Sequence, residues 1–335
     1  MNRQNRQEIP GSSPQAASGL LQAPFDLSDV PVRPDLAVLT IGLAISAAQR
    51  VQQWRKANVV PAEGPLISAE LLNAKTTSTD LVTSADKQIE EWLVDQIRQH
   101  RPHDHILGEE GGAHTAMATA TDAPRWVLDP IDGTVNFVLG IPRYAVSVAV
   151  ELDGRSYAGC VVNAASQTVH WAVRGAGAWL VQLPDDAALS ALPEATVLAA
   201  SYLAHPAEAG YRLQGPRPVT LPSAVIGTGF GYDRARRGRQ AAVAGQLLPR
   251  VADIRRLGAA SLDLCSVAVG NLDGYYEAGL SPWDFAAGLL IAREAGCVSS
   301  GLRGEEPSSA FVAVCAEAMA QDFFDLLEEL DADLR

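Results

Sequence analysis

The sequence predicts a layered α/β protein, with helices stacked on sheets around a common core. Three observations carry this. Apolar residues recur at helical spacing in two N-terminal segments, four β-like runs joined by tight turns follow, and beyond residue 190 short strands alternate with helices. A chain of 335 residues is long enough to bury a large core as two lobes.

The elements follow in order. Residues 1–33 are polar and mixed, with Leu20-Leu21 but no sustained apolar stretch. A disordered leader is expected there, and not a secretory signal. Residues 36–48 are apolar but fall short of the roughly 20 residues that a membrane span needs. They run on into residues 49–54 as one helix against a core. A second helix is expected from near Asp86 to His100. Ile89, Trp92, Leu93 and Ile97 mark its buried face, Thr83 and Ser84 offer N-caps, and Pro102 stops it. Ile106-Leu107 reads as a short strand that delivers Glu109. The small, polar residues 113–121 read as a mobile loop, and residues 126–128 as a strand ending at Asp129. The runs 144–152, 157–162, 168–173 and 178–183 form an antiparallel meander, with turns at Asp153-Gly154 and Gly175-Ala176-Gly177. A break around Pro184-Asp185-Asp186 divides an N-terminal lobe (34–185) from a C-terminal one (186–335). In the second lobe the segments 224–228, 241–251, 260–269, 275–278 and 284–295 alternate between strand and helix.

The most informative stretch is Trp126-Val127-Leu128-Asp129-Pro130-Ile131-Asp132-Gly133-Thr134. Two carboxylates stand three residues apart at the end of an apolar strand, and Gly-Thr follows where a helix can begin. Hard divalent cations such as Mg2+ take oxygen ligands, usually one or two carboxylates plus phosphate and water. Backbone N–H groups at a helix start face anions. A two-cation site needs further acidic ligands. Candidates are Glu109 and Glu110 in a Gly-flanked turn, Glu277 after Tyr275-Tyr276, and Asp284 after Trp283. Each has a plainer reading: a capping turn for Asp129 and Asp132, a solvated loop for the glutamate pair, an edge-strand carboxylate for Glu277, and the N-cap of a helix starting at Phe285 for Asp284.

Other features carry less chemistry. His103, Asp104 and His105 read as a loop without a metal role. Gly227, Gly229 and Gly231 do not complete a dinucleotide fingerprint, whose last glycine falls at Tyr232. Arg234, Arg236, Arg237 and Arg239 read as a solvated helix entry, with a site rim or partner patch as the second reading. Cys160, Cys265, Cys297 and Cys315 are scattered without a C-x-x-C pair and read as buried free thiols. The formal net charge of −13 argues against general nucleic-acid binding and also repels phosphorylated substrates. Bound cations would have to reverse the sign locally.

These motifs together resemble the inositol monophosphatase family. The 126–147 segment, with Asn136, Phe137, Gly140 and Pro142, is similar to the family's first signature, and 283–296 to its second. Gly108-Glu109-Glu110 and Lys75…Asp80-Leu81-Val82-Thr83…Asp86 match in order and spacing, and 227–232 resembles the bacterial branch. The resemblance covers roughly residue 36 to the C-terminus and implies an αβαβα five-layer sandwich of the inositol monophosphatase/fructose-1,6-bisphosphatase type. It implies two to three Mg2+ per site. Glu109, Asp129 and the Ile131 carbonyl would hold one, and Asp129, Asp132 and Asp284 the second. A weaker third would lean on Glu109 through water. Gly133 and Thr134 would offer N–H groups to phosphate. Thr134, hydrogen-bonded to Asp86, would orient the attacking water. Asp132, Ala260, Glu277 and Asp284 would meet the substrate, and Lys75, Asp80 and Thr83 would form a supporting loop. The implied activity is hydrolysis of myo-inositol 1-phosphate by a lithium-sensitive, cytoplasmic homodimer that binds neither membrane nor nucleic acid. Histidinol phosphate, fructose 1,6-bisphosphate or a 3′-phosphonucleotide are the alternative substrates. A non-catalytic binding protein on the same scaffold is the reading from another class.

Overall fold

The computed structural model describes residues 33–58, 78–114, 123–184 and 189–333. The expected leader, Lys75, residues 115–121 of the expected loop and residues 185–188 of the expected break lie outside them.

Helix α1 (Pro34–Asn58) opens on a proline, whose missing N–H costs nothing in a first turn. Every residue from 36 to 48 is buried. The helix is apolar on nearly all sides because other elements surround it. Helix α2 (Ser78–His100) begins earlier than the sequence suggests, so Thr83 and Ser84 lie inside it and do not cap it. Residues 78–85 contain neither Gly nor Pro, and each β-branched or polar residue there costs only a few tenths of a kcal/mol, roughly, in helix propensity. Asp80 and Thr83 therefore sit in the first turns of a helix and not in a loop.

The first sheet contains β1 (His105–Gly108), β2 (Gly112–His114), β3 (Arg125–Asp132), β4 (Ala145–Leu152), β5 (Arg155–Asn163), β6 (Thr168–Val173), β7 (Gly177–Gln182) and β8 (Tyr211–Arg212). The short helix α3 (Thr134–Leu139) leaves the end of β3. Strand order is β2-β1-β3-β4-β5-β6-β7-β8, with β1 and β3 parallel. The meander β4 to β7 is antiparallel, as its turn residues indicate. Ala113 and His114, expected in a loop, belong instead to β2, which pairs with β1, Ile106 opposite His114. The tight turn at 109–111 brings their backbone against the otherwise unpaired edge of β1. Helix α4 (Leu192–Ala204) then packs on α1, and after the short α5 (Pro206–Ala209) strand β8 pairs with β7. Residues 192–212 thus return to the first layer, beyond the 185/186 division expected from sequence.

The second sheet is built from β9 (Val225–Thr228), β10 (Asp253–Arg255), β11 (Gly274–Ala278), β12 (Val298–Ser300) and β13 (Phe311–Cys315), in the order β10-β9-β11-β13-β12. Helices α6 (Arg234–Leu247), α7 (Ala260–Val269), α8 (Pro282–Glu294) and α9 (Ala320–Glu329) connect and follow these strands.

Strand alternation sorts the side chains into three cores. Val146, Val148 and Val150 of β4 pack with α1, while Ala145 and Ala149 face α7 and α8. Tyr275 of β11 joins that middle core, and its neighbour Tyr276 turns to a third, with Val243 of α6 and Phe323 of α9. The order is therefore helix, sheet, helix, sheet, helix: the expected αβαβα sandwich. The middle core is lined by small residues because α8 lies close on the sheet. A Cβ on Gly159 of β5 would stand 2.9 Å from Ala287 Cα. Gly159→Val is therefore expected to cost about 1–3 kcal/mol or more by overpacking. Thermal unfolding checks this, and an unchanged Tm would mean that α8 can yield.

All four cysteines are buried free thiols. Among the described residues no helix is long and apolar enough to cross a membrane.

Candidate active site

A cleft of about 420 Å³ opens between the two sheets' strand ends. Glu109, Asp129, Ile131, Asp132, Gly133, Thr134, Ala260, Glu277 and Asp284 all line it. The sequence separates these residues widely, and six elements deliver them: the β1–β2 turn, the end of β3, the start of α3, the starts of α7 and α8, and the end of β11.

Local rules explain each placement. In a regular strand, residues three apart face opposite sides. The ladder between β3 and β4 slips between Asp129 (opposite Ser147) and Asp132 (opposite Ala145). That irregularity, at a proline with no N–H to give, turns both carboxylates into the cleft. Gly133 then adopts φ 87°, a left-handed conformation that favours glycine, and caps α3 without a side-chain bond. The first N–H groups of α3 lack intrahelical acceptors, as at any helix start, and no side chain caps them. Asp284 is not the N-cap of a helix starting at Phe285. The helix starts at Pro282, whose fixed φ suits a first turn, and Asp284 Oδ2 accepts from Ser281 N–H at 2.6 Å. Glu277 Oε2 accepts the Tyr275 hydroxyl at 2.5 Å, and Gly229 opposite leaves space for its carboxylate.

Seven acidic side chains line this one cleft and repel each other's charge. Burial first, then the fields of Glu109 and Asp132, hold Asp129 well above the usual carboxylate range. Burial and Asp132 push Asp284 up to about 8. Glu109 sits on an exposed turn, but its carboxylate points inward to within hydrogen-bonding reach of Asp129, and burial there raises it to about 7. Burial also raises Glu277 to about 7. Asp132 is raised by burial too, moderated by donors that the sequence reading did not single out: Ser261 gives Asp132 Oδ2 its N–H at 2.8 Å and its hydroxyl at 2.5 Å.

Two expected details are corrected. The Thr134 hydroxyl donates to the Ile131 carbonyl at 3.1 Å and not to Asp86. A threonine in a helix's first turn reaches the carbonyl three residues back with no other adjustment. Asp86, buried on α2, does not line the cleft. Burial and the charges of Glu109, Glu110 and Glu90 raise it to about 8. Asp104 of the His-Asp-His segment is structural, accepting from Trp126 Nε1 at 2.9 Å and Arg101 Nε at 2.8 Å.

Glu90 was missed by the sequence reading. It lies one turn beyond Asp86 on α2 and is 3 % exposed. Its carboxylate accepts from Glu110 N–H at 2.9 Å and Gly111 N–H at 2.6 Å, clasping the turn that carries Glu109. A Cβ on Gly108 would lie 2.5 Å from Glu90 Cδ, so this fit needs glycine there. The only sequence signal was the i, i+4 spacing of two acids on one helix. An amide can accept only one of these bonds well. Glu90→Gln is therefore expected to speed hydrogen exchange at Glu110 and Gly111 and to raise the Mg2+ concentration for half-maximal activity about tenfold, roughly one charge-assisted bond's worth. Unaltered exchange would contradict this role.

The donor set suits a hard cation. Asp129 Oδ1 and Asp86 Oδ1 are buried without hydrogen-bond partners, which is costly unless something else neutralises them. Among the described residues no three His, Cys, Asp or Glu side chains already stand arranged around an ion position. A cation would have to draw the carboxylates together.

Comparison with known proteins agrees with this geometry. Residues 36–329 match the inositol monophosphatase family. An inositol-1-monophosphatase from Mycobacterium leprae is 44% identical over 276 residues, covering 82% of this chain and 86% of that protein. A protein named Nus factor SuhB from Salmonella typhimurium is 36% identical over 259 residues, covering 76% and 84%. The solved structure of Mycobacterium tuberculosis SuhB superposes with a TM-score of 0.67 at 35% identity, covering 89% of this chain and 97% of that one. The chain belongs to the inositol monophosphatase family.

Proposed function

We propose that the protein is a Mg2+-dependent phosphomonoesterase that hydrolyses myo-inositol 1-phosphate. The observation that carries this reading is the orphaned Asp129 Oδ1 in an acidic cleft that also receives the start of α3. Glu109, Asp129, Asp132, Asp284 and the Ile131 carbonyl would hold the cations, two to three per site. Bound Mg2+ supplies activated water and neutralises charge on phosphate and leaving group. The chain's own contribution is positioning and fixed dipoles. The N–H groups at Gly133 and Thr134 meet the phosphate oxygens. With its proton spent on the Ile131 carbonyl, Thr134 Oγ1 is free to accept from, and so to orient, a water. Ser261 holds Asp132 by one oxygen and leaves Oδ1 to ligate. Glu277, with Tyr275 on Oε2, offers Oε1 to polyol hydroxyls beside Ala260. The reading includes a cytoplasmic homodimer sensitive to lithium.

Phosphate release from a panel of monoesters, with and without Mg2+, tests it. Preference for myo-inositol 1-phosphate is expected; preference for histidinol phosphate would replace the substrate. A second reading, a non-catalytic binding protein on the same scaffold, predicts no release from any ester; the Salmonella relative carries the name Nus factor. We favour catalysis because none of the expected ligand positions is lost.

A further inference from the structure

Ser261 gives Asp132 more than a helix cap requires. Helix α7 follows Ala259, whose side chain has nothing to cap it with. Asp132 serves instead, from 129 residues away, by accepting the Ser261 N–H at 2.8 Å. A carboxylate at a helix start caps it through backbone donors alone. The Ser261 hydroxyl nevertheless adds a second donor at 2.5 Å, and it falls on the same oxygen, Oδ2. A carboxylate oxygen has about two lone-pair sites, so the pair of donors fills Oδ2 and leaves Oδ1 to the cleft.

This hydroxyl departs from the usual habit of its kind. A buried serine or threonine in a helix commonly donates to the carbonyl four residues back. Thr40 does so to Leu36 at 2.7 Å, and Ser266, further along α7, does so to Leu262 at 2.7 Å. Ser261, fully buried, turns to another element. Its backbone is held on two sides. Asn136 Nδ2 donates to the Leu257 carbonyl at 2.8 Å, and Arg143 Nη2 to Asp263 Oδ1 at 2.7 Å. Opposite, α8 packs on it so closely that a Cβ on Gly288 would stand 3.0 Å from the Ser261 carbonyl oxygen. Gly288 lies one turn beyond Asp284 on the same face of α8. Ser261 therefore bonds one carboxylate of the proposed Asp132–Asp284 cation position and packs against the helix that carries the other.

We propose that the Ser261 hydroxyl is a positioning group for that cation: by holding Asp132 Oδ2 it aims Oδ1 and sets the affinity of the Asp132–Asp284 position, without acting on the position served by Glu109 and the Ile131 carbonyl. The proposal rests on the Mg2+-dependent reading above and assigns the tuning of one of its cation positions to one residue. A ligating carboxylate that is itself hydrogen-bonded meets the cation already oriented, and loss of such a bond typically costs about 10–100-fold in metal affinity.

Calorimetric titration of Mg2+ into the metal-free protein tests it, for the wild type, Ser261→Ala and a control, Ser266→Ala. Ser266 lies on the same helix outside the cleft lining, so its substitution also removes a buried hydroxyl from α7. Ser261→Ala is expected to weaken one binding event about tenfold or more and to leave the other within about twofold, while Ser266→Ala moves neither. In turnover Ser261→Ala should need about tenfold more Mg2+ for half-maximal rate, with KM for the ester at saturating Mg2+ within about twofold of the wild type. Unchanged Mg2+ affinity with a lowered Tm would make Ser261 a helix cap and nothing more, and would overturn the proposal. Equal weakening of both binding events, or the same loss in Ser266→Ala, would overturn it too. Mg2+ binding without release from any ester, with the Ser261→Ala loss still present, would support the positioning role while ending the phosphatase reading. A wild type that binds no Mg2+ at millimolar concentration would end both.

Discussion

Asp129→Asn is expected to lower turnover by three or more powers of ten while making the metal-free protein more stable at pH 8. Both effects have one cause. The carboxylate is 1 % exposed, lacks a partner at Oδ1, and resists ionisation because of burial and the charges of Glu109 and Asp132. Asparagine keeps the shape and removes the buried charge. It also removes the ligand shared by both proposed cation positions. Loss of several kcal/mol of charge stabilisation corresponds to that rate effect, since each 1.4 kcal/mol, about, is tenfold. Steady-state rates at saturating Mg2+ and unfolding curves in EDTA check the two halves. A variant with near-normal rate would remove Asp129 from the ligand set.

The second large effect is a fall in the stability of the metal-free protein as pH rises from 6.5 to 8.5. In the unfolded chain these carboxylates titrate near 4, roughly, and hold no protons in this range. In the folded chain burial raises Asp86 and Asp284 to about 8, and Glu109, Glu277 and Asp263 to about 7. The folded form therefore binds more protons than the unfolded one. Stability from a raised carboxylate is complete below its unfolded pKa and is lost as pH climbs through the folded value, at about 1.4 kcal/mol per proton per pH unit. His170 works the other way, because burial lowers it to about 4. Its contribution is lost only as pH falls below its unfolded value of about 6.5, outside this window. A drop in Tm of the order of 5–10 °C in EDTA follows. Mg2+ replaces the protons, so its stabilising shift should grow with pH. A Tm that holds steady or rises, or a Mg2+ shift that ignores pH, would contradict the charge arrangement.

Much of the fold was legible because periodicity reports burial directly. Val146, Val148 and Val150 alternate with Ala145 and Ala149, and the structure assigns the two sets to different cores. The gathering of Glu109, Asp129, Asp132, Glu277 and Asp284 into one cleft was likewise anticipated, since each ends or begins an apolar element with Gly or Pro within two residues. What stayed hidden depends on contacts far apart in sequence. No local pattern marks β8, a two-residue strand whose pairing with β7 comes only after α4 and α5 bring the chain back. Glu90 shows its use only once the turn 20 residues on lies over it. Ser261 reaches Asp132 across 129 residues. The Thr134 bond was misassigned because a hydroxyl takes the nearest free acceptor, and the Ile131 carbonyl is nearer than a helix in another layer.

The central claim is that the carboxylates of this cleft are held ready for divalent cations. Calorimetric titration of Mg2+ into the metal-free protein at pH 7.5, repeated in buffers of different ionisation enthalpy, tests it most directly. Saturable binding that releases at least about one proton, and that Asp129→Asn abolishes, is the expected result. Absence of binding at millimolar Mg2+, or binding that releases no proton and survives the substitution, would contradict it.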